Sequence, residues 1–102
     1  MNKILLVCAA GMSTSLLVNK MKDSAKQKGI EIEINALPVA ECASVINDVD
    51  IVLLGPQVRF QKTQVENLAA GRIPVDVIDM KSYGKMDGNA VLESALKQIQ
   101  DV

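Results

Sequence analysis

The chain has no histidine and no tryptophan, and only one tyrosine and one phenylalanine among its 102 residues. Lack of histidine removes the commonest general base and metal ligand, and with it any Ser-His-Asp or Cys-His machinery carried wholly within the chain. Two aromatic rings leave almost no surface for base stacking. With 11 basic and 12 acidic residues the net charge is −1 and no basic patch is forced, so no nucleic-acid partner is expected. The two cysteines, Cys8 and Cys42, form neither a C-x-x-C pair nor a zinc ligand set, and they are too few for a disulfide scaffold. No metal and no cofactor is expected. Long hydrophobic runs are missing as well. Ile4-Leu5-Leu6-Val7 precedes Cys8 with four apolar residues, whereas a secretory segment needs about seven and a membrane span about twenty. The expectation is a cytoplasmic protein with reduced thiols and no direct membrane insertion.

What is present is aliphatic. Apolar residues make up 49% of the chain, enough for a compact core and too much for a disordered tail. No repeat, low-complexity tract or linker divides it, so residues 1–102 read as a single domain. Four short apolar runs alternate with four stretches of helical character. Ile4-Leu5-Leu6-Val7 and Ile51-Val52-Leu53-Leu54 are unbroken, as strands covered on both faces are. Ile30-Glu31-Ile32-Glu33-Ile34-Asn35 alternates and Val75-Asp76-Val77-Ile78 is interrupted once, as edge strands with one wet face are.

The first helix carries Leu17, Met21 and Ala25 on its apolar face, is capped by Ser13, Thr14 or Ser15, and closes at Gly29. The Lys20–Lys28 charges form its solvated face. A second helix is predicted from about Val39 to Ile46 after Pro38, and a third from Arg59 to Ala70 ending at Gly71. The last follows Asp87-Gly88 with Val91, Leu92, Ala95, Leu96 and Ile99 at helical spacing.

A βαβαβαβα order implies an α/β fold: a single-domain, open, four-stranded parallel sheet with helices on both faces. Right-handed crossovers with runs one and three in the centre give the strand order 2-1-3-4. The winding reverses between strands one and three, and ligands of such sheets bind outside the carboxyl ends of the strands at that reversal. Two loops meet there: Cys8-Ala9-Ala10-Gly11-Met12-Ser13-Thr14-Ser15 and Gly55-Pro56-Gln57.

Small residues at Ala9, Ala10 and Gly11 let backbone N–H groups curl around an anion. Ser13, Thr14 and Ser15 add hydroxyls, and the next helix points its positive end into the same space. A cysteine in that field is expected to have a depressed pKa and to act as a nucleophile without a histidine base. The expected chemistry is a phosphocysteine. A strand-end cysteine taken alone is usually packing; the conjunction of switch point, small-residue loop and helix N-terminus moves the balance toward function. There is no G-x-x-x-x-G-K-[ST] and no G-x-G-x-x-G, and the third strand ends at Leu54-Gly55 without a phosphoacceptor aspartate. The loop resembles that of low-molecular-weight tyrosine phosphatases, Cys-x5-Arg, but Thr14 stands at the arginine position. Without the guanidinium the bidentate clamp on a phosphate monoester is lost.

Residues Cys8-Ala9-Ala10-Gly11-Met12-Ser13-Thr14-Ser15-Leu16-Leu17-Val18 closely resemble the phosphorylation loop of IIB proteins of the sugar phosphotransferase system, lactose/cellobiose (chitobiose) branch. Val52-Leu53-Leu54-Gly55-Pro56-Gln57-Val58 and the stretch from Val75-Asp76-Val77-Ile78-Asp79 to Tyr83-Gly84-Lys85-Met86-Asp87-Gly88 match the same family in order. The resemblance implies that Cys8 accepts a phosphoryl group from phosphohistidine on a partner IIA and donates it to a sugar in the membrane permease IIC. It implies a phosphate cradle of Ala9, Ala10, Gly11, Met12, Ser13 and Thr14, and a site rim of Ser15, Gly55, Pro56, Gln57 and Tyr83. Met12, Leu16 and Val58 are expected to form a docking patch, and Cys42 to be a small core residue. A cellobiose-like disaccharide is the favoured substrate and a monomer the expected state. The alternatives are a low-molecular-weight phosphatase- or reductase-like enzyme, and a regulatory phosphocysteine domain that docks on a transcription factor.

Overall fold

The computed structural model describes residues 2–8 and 12–100, without the side chains of 12–14 and 100. Strand β1 (Asn2–Cys8) is buried from Ile4 onward. It is flanked in parallel by β2 (Ile32–Pro38), in register from Asn2↔Ile32 to Cys8↔Pro38, and by β3 (Ile51–Leu54), from Ile4↔Ile51 to Val7↔Leu54. Strand β4 (Val75–Val77) pairs with β3. The order is β2-β1-β3-β4, the arrangement that the two unbroken apolar runs predict.

Side chains alternate across a strand, so each central strand feeds two cores. Ile4, Leu6, Ile51 and Leu53 point to the face covered by α1 (Met12–Gln27) and α5 (Gly88–Gln100), where they meet Leu17, Met21, Ala25, Leu92 and Ala95. Leu5, Val7, Val52 and Leu54 point to the opposite face, against Cys42 of α2 (Val39–Cys42) and Val65 and Ala69 of α3 (Lys62–Ala69). Burying a leucine or methionine such as Leu17, Met21 or Leu92 stabilises the fold by roughly 1.5–3 kcal/mol.

Several boundaries differ from the sequence reading, each for a local reason. Helix α1 starts at Met12, so Ser13, Thr14 and Ser15 occupy its first turn instead of capping it; the cap position falls on Gly11, outside the described residues. Its other end agrees: Gly29 takes φ +68° and the Ile30 N–H donates to the Ala25 carbonyl, a left-handed stop that glycine adopts without strain. Strand β2 starts later and runs on to Pro38, because β1 is long enough to pair with it up to Cys8. A proline is tolerated there, at the end of an edge strand.

The predicted helix from Val39 to Ile46 is α2 alone, followed by a turn and one 3-10 turn at Ile46–Asp48. Ser44 Oγ donates back to the Glu41 carbonyl at 2.8 Å, the local competition that shortens helices. The predicted Arg59–Ala70 helix is a 3-10 stretch, Pro56–Gln61, bent at Val58, and then α3. Between β4 and α5 lies a helix the sequence reading did not assign, α4 (Met80–Gly84). Asp79 caps it by accepting from the Ser82 N–H at 3.0 Å, a Ser/Asp-type start signal visible in the sequence.

Candidate functional site

Cys8 is the last residue of central strand β1. Only 4% of it is exposed. Four residues later α1 begins at Met12, so the positive end of a 16-residue helix follows closely on the carboxyl end of β1. Beside it β3 ends, and Gly55 ties the two strand ends together: its N–H donates to the Val7 carbonyl at 2.9 Å. The switch point inferred from the strand order is therefore where Cys8 and Gly55 meet.

Gly55 is buried, and a Cβ placed on it would lie 3.7 Å from Cys8 Cβ and 3.0 Å from Gln57 Oε1. Cys8 and Gly55, which open the two expected loops, thus meet, with Gln57 Oε1 folded back against Gly55. Gln57 also lines an open groove of about 510 Å³ with Pro56, Arg59, Phe60, Met80, Tyr83 and Gly84. Tyr83 is placed at this groove as a mostly buried ring that packs into the α1–α5 core. Ser15 lines a shallow groove with Asn19, Asn35 and Ala36, between α1 and β2. Ala9, Ala10 and Gly11 lie outside the described residues, as do the side chains of Met12, Ser13 and Thr14.

One expected docking residue is corrected. Val58 is 2% exposed and belongs to the α2–α3 core, because the bend in the 3-10 stretch turns it inward. Leu16 is half exposed, as a docking residue requires. The apolar rim beside the site is instead Phe60, 76% exposed, and Met80, 61% exposed. The sequence held a signal for the first: Phe60 is an isolated aromatic between Arg59 and Gln61-Lys62. Met80 became a surface residue only through α4.

Cys42 sits on the other face of the sheet, fully buried, where desolvation pushes its thiol above its ordinary pKa of 9.0. It is a core residue. Among the described residues no cluster of three histidine, cysteine, aspartate or glutamate side chains is placed to hold a metal ion, and no helix is long and apolar enough to cross a membrane.

A doubly wound sheet with a cysteine at its switch point and a helix N-terminus beyond it defines a small α/β protein with the layout of an anion-binding crevice. The family model of the phosphotransferase-system lactose/cellobiose-specific IIB subunit matches residues 3–94, and the chain belongs to that family, a family of phosphotransferases in sugar transport. It is 46% identical over 97 residues to the oligo-beta-mannoside-specific EIIB component of Bacillus subtilis, covering 94% of each chain. It is also 46% identical over 99 residues to the cellobiose-specific EIIB component of Lactococcus lactis, covering 90% of this chain and 91% of that one. The solution structure of the cellobiose-specific IIB component of Borrelia burgdorferi superposes with a TM-score of 0.82 at 40% identity, over 98% of this chain and 93% of that one. The YwlE mutant from Bacillus subtilis, at 14% identity and a TM-score of 0.61 over 98% of this chain and 99% of that one, shares the fold, that of the low-molecular-weight tyrosine phosphatases.

Proposed function

We propose that Cys8 is the phosphoryl carrier of this protein, loaded by phosphohistidine on a IIA partner and discharged to a sugar held by a IIC membrane permease. The observation that carries the reading is the position of Cys8, at the carboxyl end of the central strand with α1 starting four residues on and Gly55 against its Cβ. The chain has no histidine of its own; the donor brings it.

In the first step the Cys8 thiolate attacks phosphorus in line. The S–P bond forms as the N–P bond breaks, and that electron pair stays on the imidazole nitrogen of IIA. Residues 9–14 and the α1 N-terminus form the cradle that stabilises the phosphoryl oxygens. In the second step a sugar hydroxyl oxygen attacks, the S–P bond breaks, the sulfur leaves as thiolate, and the hydroxyl proton passes to water or a permease base. Thr14 in place of an arginine leaves the site without a cationic clamp of the phosphatase type, which suits an intermediate that waits for a sugar.

The apolar rim of Phe60 and Met80 is continuous with Cys8 through Gln57, and it serves docking of the IIA donor. The chain works as a single monomeric domain in the cytoplasm, at the membrane only through IIC. A cellobiose-like disaccharide is the proposed sugar, supported by the cellobiose-specific relatives at 46% and 40% identity. Incubation with phosphorylated IIA followed by mass spectrometry tests the reading. Wild type and Cys42→Ser should gain one phosphoryl group, and Cys8→Ser should gain none and support no sugar phosphorylation. Normal sugar phosphorylation by Cys8→Ser would overturn it.

A further inference from the structure

Gly55 has an ordinary extended backbone, φ −61° and ψ 149°, which any residue adopts. Its glycine is a matter of space. A Cβ there would crowd the Gln57 carboxamide, with Oε1 3.0 Å from the Cβ position, and would lie 3.7 Å from Cys8 Cβ. Gln57 is a solvent-exposed residue on a turn, where a long polar side chain ordinarily keeps its rotamer freedom. Here it is folded back against the one residue of the loop that leaves room for it.

The turn that delivers the side chain is rigid. Pro56 fixes its own φ, the Val58 N–H donates to the Gly55 carbonyl at 3.0 Å, and the Val58 side chain anchors in the core. These constraints fix the backbone from which the Gln57 side chain folds back over Gly55. Arg59 also lines the groove, but the seat over Gly55 belongs to Gln57.

The geometry points to Gln57 as a further residue that contacts the phosphoryl group: its carboxamide, with Oε1 turned to Gly55, donates a hydrogen bond through Nε2 to an oxygen of the group carried on Cys8. This rests on Cys8 as the carrier. The amide supplies up to two donors and moves no proton. Being neutral, it orients the group without the full positive charge a guanidinium would place there.

Single-turnover transfer from phosphorylated IIA, measured over a range of IIA concentrations, tests the role. Gln57→Leu keeps the bulk and removes the donor; it should lower the maximal rate about tenfold and leave the half-saturating IIA concentration unchanged. Gln57→Glu sets a carboxylate against a phosphoryl dianion and should lower the rate further, by about a hundredfold. Gly55→Ala should slow wild type by displacing the amide, and have no added effect in a Gln57→Ala background. Unchanged maximal rates for Gln57→Leu and Gln57→Glu, or a change confined to half-saturation, would overturn the role and leave Cys8 as carrier. Additive Gly55 and Gln57 effects would overturn the seat over Gly55. A wild type that takes up no phosphoryl group would overturn the Cys8 assignment and this inference with it.

Discussion

A methyl group on Gly88 would lie 2.5 Å from the backbone carbonyl carbon of Lys20 and 2.6 Å from the Met21 nitrogen. Helices α1 and α5 therefore meet backbone against backbone, at the first residue of α5. Around that contact Ser24 Oγ lies 2.7 Å from Asn89 Oδ1, and Lys28 Nζ 3.0 Å from Glu93 Oε1. The entry of α5 is set by Asp87, whose side chain accepts from the Ala90 N–H at 3.1 Å.

In an open helix, exchanging glycine for alanine adds about 1 kcal/mol of stability. At position 88 the sign reverses, because the atoms in the way are backbone and cannot rotate aside. Gly88→Ala should destabilise by about 1–3 kcal/mol through overpacking, read as a lower urea midpoint. A midpoint at or above that of the wild type would mean that the two helices separate freely.

The buried thiol of Cys42 gives stability a pH dependence. Its folded pKa is raised above 9.0 by desolvation, so near pH 9 the unfolded chain loses the proton while the folded chain keeps it. Its contribution is whole below the unfolded pKa and is lost as pH rises through the folded one. Urea unfolding at pH 7.5 and pH 10 should show a steeper loss for wild type than for Cys42→Ala. Parallel losses in the two proteins would assign the alkaline dependence to other groups.

Cys8 and Cys42 should not pair. Along β1 Ile4 and Leu6 face the α1–α5 core, whereas Leu5 and Val7 face the core that holds Cys42. Cys8 follows the parity of Leu6, so the sheet lies between the two thiols. Mild oxidation of the native protein should leave no intramolecular disulfide, and a two-thiol count after denaturation checks it. A mass lower by two hydrogens in the native monomer would contradict this placement.

Phe60 and Met80 are exposed large apolar side chains on one groove. Phe60→Ala should raise the half-saturating concentration of IIA about tenfold, as truncation of an aromatic anchor does. The maximal transfer rate and the urea midpoint should stay as in wild type. A lower midpoint would place Phe60 among the residues that hold the fold, and an unchanged half-saturation would remove it from the interface.

Much of the fold was legible because aliphatic runs report their own burial. Unbroken Ile4–Val7 and Ile51–Leu54 specified two strands covered on both faces, and from them came the centre of the sheet, the order 2-1-3-4 and the meeting of Cys8 with Gly55. Less legible were the segments whose conformation depends on contacts made elsewhere. The stretch from Val39 reads as a full helix by composition, yet Ser44 turns back on Glu41 and the chain leaves α2 after Cys42. Val58 reads as part of an apolar docking patch, and the bend at its own backbone sends it into the core.

The absences noted at the outset were settled by sequence alone. Without histidine and with Thr14 at the phosphatase arginine position, the sequence pointed to the loop after Cys8, and local order along the chain placed that loop at a strand end. Tertiary structure decided what surrounds that cysteine. That Gln57 folds over Gly55, that Phe60 is exposed and Val58 buried, and that α5 touches α1 through Gly88 all depend on distances between residues far apart in the chain or on the angle of one turn. Periodicity reports which side of an element is apolar; it holds no information about where a rigid turn aims a side chain, because close packing fixes that only once the neighbouring elements are in place.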